Sequence, residues 1–394
     1  MDNHGVARSA RRQLTEAEKK RELKRIDKYR DLVAQVRERY RQKDYTVEAL
    51  TLTSALLSEN PEYYTIWNYR RLILQDVFTK ELSAPPEPDE EQETGTEADK
   101  LQTEPNLNPA QKEISLLLKE DLQFVTSTQR INPKVYWMWN HRSWLLSKAL
   151  EYLPTAVATR FWTEELGLVT KMLGWDNRNF HGWQYRRIVT DALEELRLRT
   201  LQSQVAQKTT TNEQLQAQAS LAKQEFDYSD KMVRANFSNF SAWHHRLQQV
   251  HKQLDTEGAD DNARRKAFEE ELALAAELLW AATDPKDQSL WFYHQDLMAT
   301  LDPAAEAKFR LIKSPSDEER RGYIDGQMEG IKEILEDNED CKWIYQALLG
   351  LSELYEKVGG QPDKADMQDW LDRLEKLDPL RKGRWADLST RLDL

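Results

Sequence analysis

The sequence is poor in the residues that disulfides, sheets and membrane spans require. It has one cysteine, Cys341, so no disulfide can form within the chain and we expect a reducing compartment. Glycine and proline number 13 each among 394 residues, which disfavours a sheet-rich fold. The chain lacks an apolar run of about 18 residues, and its charged N-terminus lacks the apolar region of a secretory signal. We therefore expect a soluble, cytoplasmic chain with no membrane span.

Basic residues are outnumbered by acidic ones: the chain has 56 Lys and Arg against 68 Asp and Glu, and its net charge is −12. Such a chain is a poor ligand for a phosphate backbone, so we expect no nucleic-acid partner. The exception is residues 1–43, which hold 14 Lys and Arg against 7 Asp and Glu. Apolar residues recur there at three- and four-residue steps from Leu23 to Tyr40. We predict a basic N-terminal segment with a first helix packed on the rest; a nucleic-acid arm or a partner-binding helix is the alternative.

Tryptophan, by contrast, is abundant, with 13 residues, and six of them recur in one motif. The motif is Asn-Pro-x₅-Trp-x-x-Arg, and an amphipathic stretch precedes it. Its tryptophans are Trp67, Trp139, Trp183, Trp243, Trp291 and Trp343. Its arginines are Arg70, Arg142, Arg186 and Arg246. In the fifth and sixth copies His294 and Gln346 stand in the arginine position, and such decay is typical of a terminal repeat.

Each copy of the motif predicts a helical hairpin. The residue before a proline avoids the α region, so Asn60, Asn132 and Asp284 should each end a first helix. In the second helix Trp and Arg, three residues apart, share one face. We expect the Trp to pack between hairpins and the Arg to bind helix-end carbonyls or a carboxylate of the adjacent hairpin. Stacked hairpins predict an all-α, right-handed superhelix, a crescent-shaped solenoid.

The hairpin array is predicted over residues 44–355, as about six hairpins, and residues 356–394 are predicted to form a helical cap. Two segments interrupt the array. Residues 83–109 hold five prolines and eight acidic residues, a composition that predicts disorder. Residues 200–222 are rich in Gln, Thr and Ser and are predicted to extend a helix or to form a polar loop.

The repeats resemble those of protein prenyltransferase α subunits, which farnesyltransferase and geranylgeranyltransferases type I and type II (the Rab enzyme) share. The His4-Gly5 start and the segment 176–187 are most similar to the Rab enzyme. The resemblance implies a heterodimer with a β subunit that holds catalytic zinc and binds geranylgeranyl diphosphate. It also implies a Rab escort protein that presents Rab GTPases. The alternatives are the α subunit of farnesyltransferase or of the type I enzyme, and a non-catalytic helical-repeat adaptor.

The resemblance implies site residues as well. Lys134 matches the family lysine that reaches from the α subunit to the diphosphate, where negative charge builds up as the carbon–oxygen bond breaks. Tyr136 and His181 match positions that line the α side of the active site. His4 matches a terminal histidine that occupies the zinc of the free enzyme's β subunit. Phe180 stands where the farnesyl enzyme has Tyr, so a hydroxyl role is lost there.

Two other groups are predicted to have no chemical role. His244 and His245 are adjacent, so on a helix their side chains point about 100° apart. We expect them to pack between repeats rather than to bind a metal. Cys341 is not expected to be a nucleophile, because no His and acid are recognisably arranged around it.

Overall fold

The computed structural model describes residues 15–83, 107–205, 211–281 and 286–394, and its regular structure in these ranges is entirely helical. The helices are, in chain order, α1 (Glu16–Arg41), α2 (Val47–Glu59), α3 (Tyr64–Ser83), α4 (Pro109–Ile131), α5 (Tyr136–Tyr152), α6 (Thr155–Trp175), α7 (Phe180–Val205), α8 (Thr211–Ala235), α9 (Phe240–Thr256), α10 (Asp261–Ala281), α11 (Gln288–Ala299), α12 (Asp317–Asp337), α13 (Lys342–Lys357), α14 (Lys364–Leu377) and α15 (Lys382–Leu392). The predictions for His4, for Asp284 and for residues 84–106 and 206–210 fall outside the described residues. No described helix has the length and apolar character needed to cross a bilayer.

The all-α, helical-repeat prediction is confirmed. The chain forms two compact units, residues 1–169 and residues 170–394. In the first unit α2 pairs with α3 and α4 with α5, α1 packs against α2, and the second helices α3 and α5 pack on each other. In the second unit the pairs are α8–α9, α10–α11, α12–α13 and α14–α15, and the second helices α7, α9, α11 and α13 pack in that order.

The asparagines before proline end the first helices, as predicted. Asn60 caps α2 and its backbone N–H donates to Leu56 O at 2.9 Å; Asn132 caps α4 in the same way. Both residues lie outside the α region, with φ of −144° and −126°. The pyrrolidine of the next residue forbids another helical turn, so the chain reverses within four residues.

The motif tryptophans fasten each turn to the second helix. In the first four hairpins the indole Nε1–H donates to the carbonyl oxygen six residues earlier, as in Trp67 to Pro61 at 2.8 Å. The same bond is made by Trp139, Trp183 and Trp243. The Trp343 indole instead donates to Lys286 O of the preceding turn at 3.0 Å. The Trp67 ring lies 4.9 Å from the His141 ring and 6.2 Å from the Phe124 ring, both in the next hairpin. The prediction that Trp packs between hairpins is confirmed.

The motif arginines bind a carboxylate of the following hairpin, which confirms the second of the two predicted alternatives. Arg142 Nε donates to Glu165 Oε2 at 2.9 Å, and Nη1 donates to Thr126 Oγ1 of the preceding helix at 2.9 Å. Four such pairs are present in the described residues, and all eight side chains are buried. They are Arg70–Asp121, Arg142–Glu165, Arg186–Glu225 and Arg246–Glu271. Burial makes each pair costly to break, because the surviving charge would stay desolvated.

The carboxylates also accept a bond from their own hairpin, from the residue two after the tryptophan. His141 Nε2 lies 2.6 Å from Asp121 Oδ2, and His141 Nδ1 accepts from Arg71 Nε at 3.2 Å, so Nε2 carries the proton. His245 and Tyr293 bind Glu225 and Glu271 in the same way. Burial lowers the pKa of His141. Burial alone would raise the pKa of Asp121, but Arg70 and His141 outweigh it and hold that pKa at about 2.

A seventh hairpin, which the sequence analysis did not recognise, occupies the C-terminal region. Asp378-Pro379 ends α14 and Trp385 follows after five residues, as in the motif. Trp385 is 1% exposed and its Nε1 donates to Asp378 O at 3.0 Å. Leu388 stands in the arginine position. The sequence contains the first part of the motif, Asp-Pro-x₅-Trp, but lacks its arginine, and the hairpin was therefore not predicted.

The first helix packs on the repeats, as predicted, but only through its C-terminal half. Val36 is fully buried, and the Tyr29 hydroxyl accepts a bond from Asn60 Nδ2 at 2.8 Å. Leu23 and Ile26, which continue the same apolar stripe, are 60% and 36% exposed. The basic N-terminal half of α1 is therefore solvated on both faces within the described chain.

Candidate functional site

Lys134 and Tyr136 lie together at the turn between α4 and α5. Lys134 is exposed within the turn, and Tyr136 is the first residue of α5 and is 51% exposed. The Tyr136 ring meets the Trp137 ring edge to face at 5.2 Å, and Tyr64 of the preceding hairpin lies 5.2 Å from Trp137. The lysine therefore sits beside an aromatic cluster on a well-fixed hairpin.

His181 lies in the second unit, as the second residue of α7. Its backbone N–H donates to the Asn179 side-chain oxygen at 3.1 Å, which caps the helix. Its half-buried ring lies 4.0 Å from the ring of Phe180, which is 63% exposed. The imidazole is thus placed at the exposed start of a second helix, as Tyr136 is in the first unit.

The site residues belong to a repeated feature that sequence reasoning missed, an exposed apolar row at the turns. The residue three before the motif tryptophan starts the second helix and is an exposed aromatic in four hairpins. These residues are Tyr64, Tyr136, Phe180 and Phe240. Ile131 and Trp175, each the last residue of a first helix, are also exposed, by 80% and 67%. We call these six residues the turn row, of which three lie in the first unit and three in the second. Within each unit, exposed apolar side chains at neighbouring turns are typical of an interaction surface.

In the second unit the turns are bonded to each other, which fixes this edge. Asn239 Nδ2 donates to Asn177 O at 2.6 Å, and Asn236 Nδ2 donates to Asn177 Oδ1 at 3.2 Å. Ser238 then donates to Asp287, and Lys286 pairs with Asp340 at 2.5 Å. Side chains on such turns are held before any partner arrives, so less entropy is lost on binding.

His245 packs between repeats, as the sequence analysis predicted. Its Nε2 lies 3.1 Å from Glu225 Oε2 and its ring lies 5.5 Å from that of Trp183. His244, by contrast, is exposed and contacts Gln248 on its own helix. Across the described residues, no three His, Cys, Asp or Glu side chains are grouped to hold a metal ion.

Cys341 is buried at the start of α13. Burial raises the pKa of its thiol, because an anion is disfavoured away from water. A nucleophilic cysteine needs the opposite shift. Both features disfavour a thiolate at this position.

Comparison with known proteins identifies the same helical hairpins. The family description "Protein prenyltransferase alpha subunit repeat" matches residues 47–77, 118–149, 162–193 and 222–252. These segments hold the four hairpins in which the motif arginine is present. A chain of the solved structure "Candida albicans protein geranylgeranyltransferase-I complexed with GGPP" superimposes with a TM-score of 0.54 at 18% identity, covering 99% of this chain and 96% of that one. That likeness shows the fold.

Similarity in sequence extends over the full chain. The geranylgeranyl transferase type-2 subunit alpha of Schizosaccharomyces pombe is 33% identical over 400 residues, which cover 99% of this chain and 98% of that protein. The Saccharomyces cerevisiae protein of the same name is 29% identical over 98% of both chains. The Mus musculus protein matches at 33% over 258 residues, only 34% of its own length. The chain therefore belongs to the protein prenyltransferase α-subunit family, in the group of the type-2 geranylgeranyl transferase α subunits.

Proposed function

We propose that this chain is the α subunit of a heterodimeric protein geranylgeranyltransferase that modifies C-terminal cysteines of Rab GTPases. The observation that carries the proposal is the exposed Lys134–Tyr136 turn on a hairpin whose other motif residues are buried. Trp139 and Arg142 are 4% and 1% exposed, so they serve the fold. Lys134 and Tyr136 lie at the surface, where a second subunit can meet them.

In each unit, the turn-row residues are the ones that we assign to contact with the β subunit. They present exposed aromatic side chains from successive hairpins, and aromatic residues are the common anchors of protein interfaces. The turns of the second unit are bonded to one another, so this part of the surface is preorganised. In this proposal the β subunit also positions the Rab GTPase, which an escort protein presents, and the complex acts in the cytoplasm.

Lys134 supplies charge, not a covalent step. A lysine ammonium is a compact cation on a flexible stem, and the start of a helix lets it extend beyond the α subunit. As the isoprenoid leaves, the diphosphate gains negative charge, and an ammonium held there stabilises the transition state more than the ground state. Tyr136 in the first unit and His181 in the second, at the starts of α5 and α7, are the other side chains that we assign to contact with the β subunit.

The catalytic zinc is assigned to the β subunit. The described residues of this chain do not bring three ligand side chains together, so they do not fit a resident zinc site. When bound in the partner, zinc would lower the pKa of the substrate thiol. His4 lies outside the described residues, and its contact with that zinc stays a prediction.

The test is reconstitution of the enzyme. The chain is purified alone, with a type-2 β subunit and with a type-1 β subunit, and transfer of labelled geranylgeranyl to a Rab GTPase with its escort protein is measured. We expect transfer only by the pair with the type-2 β subunit. Stable pairing with the type-1 subunit and transfer to a CaaX peptide would assign the chain to the type I or farnesyl enzyme. If the chain folds stably but binds neither β subunit, the non-catalytic adaptor is the function that remains.

A further inference from the structure

One cation on the second helices of the first unit has only neutral contacts. Arg71 follows Arg70 on α3 and is half-buried. Its Nε donates to His141 Nδ1 at 3.2 Å, and its Nη2 donates to Asn140 Oδ1 at 2.6 Å, both on α5. Its guanidinium carbon lies 5.7 Å from the centre of the Trp144 ring. Among the described residues, no carboxylate pairs with this charge.

The neighbouring Arg70 shows what a motif guanidinium of this fold contacts. Its Nε and Nη2 bind the Asp121 carboxylate, and its Nη1 donates to Thr53 Oγ1 at 2.9 Å. In Arg71, Nε and Nη2 bind an imidazole and an amide instead, and Nη1 has no hydrogen bond to a described residue. This nitrogen is not one of the enclosed unbonded atoms of the described chain, so it keeps contact with solvent. Nη1 is therefore open to a partner.

The third hairpin has a carboxylate at the place where the first hairpin has none. Arg187 stands four residues after its motif tryptophan, as Arg71 does. Burial lowers the pKa of both arginines, and Asp191, one turn further along α7, opposes the shift at Arg187. The corresponding residue on α3 is the uncharged Gln75. At Arg71 only the Tyr136 phenol opposes the shift in pKa, and a phenol is neutral at pH 7.

Arg71 lies beside residues that we assign to contact with the β subunit. Tyr64 of the turn row precedes it by seven residues, which is two turns or about 10 Å along the same face of α3. Asn140, which Arg71 binds, lies one turn after Tyr136 on α5. Leu72, the next residue on α3, is 46% exposed. Arg71 thus adds a positive charge to the apolar turn-row residues of the first unit.

A half-buried cation of this kind favours an anionic partner. If uncharged protein covered Arg71, the charge would become buried and unpaired, which is costly. A carboxylate would pair with it, and the attraction would exceed that in bulk water because the apolar neighbours exclude solvent. A diphosphate carries several negative charges and needs several cations, whereas no second cation acts on the pKa of Arg71. A single side-chain carboxylate is the better match.

We propose that Nη1 of Arg71 binds a side-chain carboxylate of the β subunit when the two chains pair. The inference rests on the function proposed above, because that function supplies the β subunit. The bond would neutralise Arg71 as the interface covers it. It would also fix the β subunit against α3 and α5, since His141 and Asn140 already hold the guanidinium in place.

The first test is the dissociation constant of the full chain for the type-2 β subunit. Arg71→Met should raise it about 30-fold or more, because the partner's carboxylate is then covered without its cation. Arg160 provides the control, since it is exposed on α6 and forms no ion pair with a described residue. Arg160→Met should change the constant by less than about threefold, the usual limit for an exposed charge. Equal effects of the two substitutions would contradict a special role of Arg71.

A nearly isosteric variant separates charge from structure. Asn140→Asp places a carboxylate against Arg71 Nη2 within the chain itself and keeps the size of the side chain. It should weaken pairing with the β subunit about tenfold or more, because the cation is already neutralised and the new charge repels a carboxylate. Thermal unfolding of this chain alone should show no loss of stability. Unchanged or tighter pairing would overturn the proposal.

The carboxylate is located by a cross-link of zero length. A carbodiimide activates a carboxylate, and a lysine amine in contact with it displaces the urea to form an amide. Arg71→Lys supplies that amine, and peptides of the treated heterodimer are mapped by mass spectrometry. We expect an amide between position 71 and one Asp or Glu of the β subunit. No link from this position, or links only to carboxylates of the same chain, would overturn the proposal.

Failure of this inference can be told apart from failure of the proposed function. If the unmodified chain does not pair with the type-2 β subunit, the proposed function is wrong and this inference falls with it. If it pairs, and Arg71→Met pairs as tightly, only the carboxylate contact is wrong. Unchanged pairing with weaker binding of geranylgeranyl diphosphate by Arg71→Met would assign the guanidinium to the diphosphate and would also overturn the inference.

Discussion

Arg186 and Glu225 face each other in a bidentate ion pair between consecutive hairpins, with Nε 2.8 Å from Oε2 and Nη2 2.6 Å from Oε1. Both side chains are almost fully buried. The pair joins α7 to α8, and Thr170 on α6 accepts a further bond from the same guanidinium. One arginine thus connects three helices.

Removing one member of this pair should destabilise the chain strongly. Arg186→Met leaves the Glu225 carboxylate buried without its guanidinium, at a cost of about 3–5 kcal/mol. Urea unfolding followed by circular dichroism measures the change. Arg186→Met combined with Glu225→Gln leaves no buried charge at this contact and should recover at least half of the loss.

An exposed pair of the same type is the control for that experiment. Arg199 and Glu195 are 65% and 63% exposed and lie 2.5 Å apart. Arg199→Met should cost less than about 1 kcal/mol, because water already screens this pair. A similar cost at both arginines would show that burial does not decide the effect.

The motif tryptophans should matter far more to stability than the exposed tryptophan of the turn row. Trp183 is fully buried and donates to Asn177 O at 2.8 Å, whereas Trp175 is 67% exposed. Trp183→Ala should cost about 3–5 kcal/mol through the cavity that it leaves. Trp175→Ala should stay within about 0.5 kcal/mol. Thermal unfolding of the two variants compares them directly, and a large loss at Trp175 would argue for a structural role of the turn row.

Stability should fall as the pH drops below about 6.5, the pKa of an unfolded histidine. Burial lowers the pKa of both His141 and His245 in the folded chain. Below pH 6.5 the unfolded state therefore binds more protons than the folded state. Each histidine then reduces the free energy of unfolding by up to about 1.4 kcal/mol per pH unit, until the pH reaches its folded pKa.

The measurement is the unfolding midpoint between pH 7 and pH 5, for the unmodified chain and for His141→Gln with His245→Gln. The double variant retains a side chain that can bond Asp121 and Glu225 but cannot be protonated in this range. Its pH profile should be flatter. Parallel profiles would mean that these two histidines keep ordinary pKa values in the folded chain.

Lys134→Ala should lower kcat of the reconstituted enzyme about 10- to 100-fold and leave KM for geranylgeranyl diphosphate within about threefold. This split is expected because the lysine cation acts mainly on the transition state. Lys286 provides the control, since it occupies the same position relative to Trp291 as Lys134 does to Trp139. Lys286→Ala should leave kcat unchanged. Full activity of Lys134→Ala would favour the non-catalytic adaptor.

The hairpins could be predicted because their signals are local. Asn60 and Asn132 end helices through the steric effect of the next proline, and Trp67 and Arg70 share a face through helical spacing. The identity of the carboxylate that Arg70 binds was not predictable. Asp121 lies 51 residues away, across an insertion, and it is one of 68 acidic residues.

The candidate site was predicted only in part. Lys134, Tyr136 and His181 were placed by resemblance. The structure puts Tyr136 and His181 at the starts of second helices and Lys134 in the turn before α5. The turn row as a whole was missed, although its aromatic residues recur three positions before the motif tryptophan. Whether these aromatic residues are buried or exposed depends on the packing of neighbouring helices, which the sequence pattern alone does not give.

The arginine–carboxylate contacts also determine how such a chain can change length. A hairpin that carries an acid on its first helix and an arginine on its second fits between any two hairpins of the same kind. Deletion of α4 and α5, for example, would bring Arg70 opposite Glu165 and keep every charge matched. The α12–α13 hairpin has Gln327 where the earlier hairpins have the acid, so a copy of it at the same place would leave a buried guanidinium without its carboxylate. We therefore expect gain and loss of whole hairpins to be tolerated where these charges repeat, up to the contact of Arg246 with Glu271.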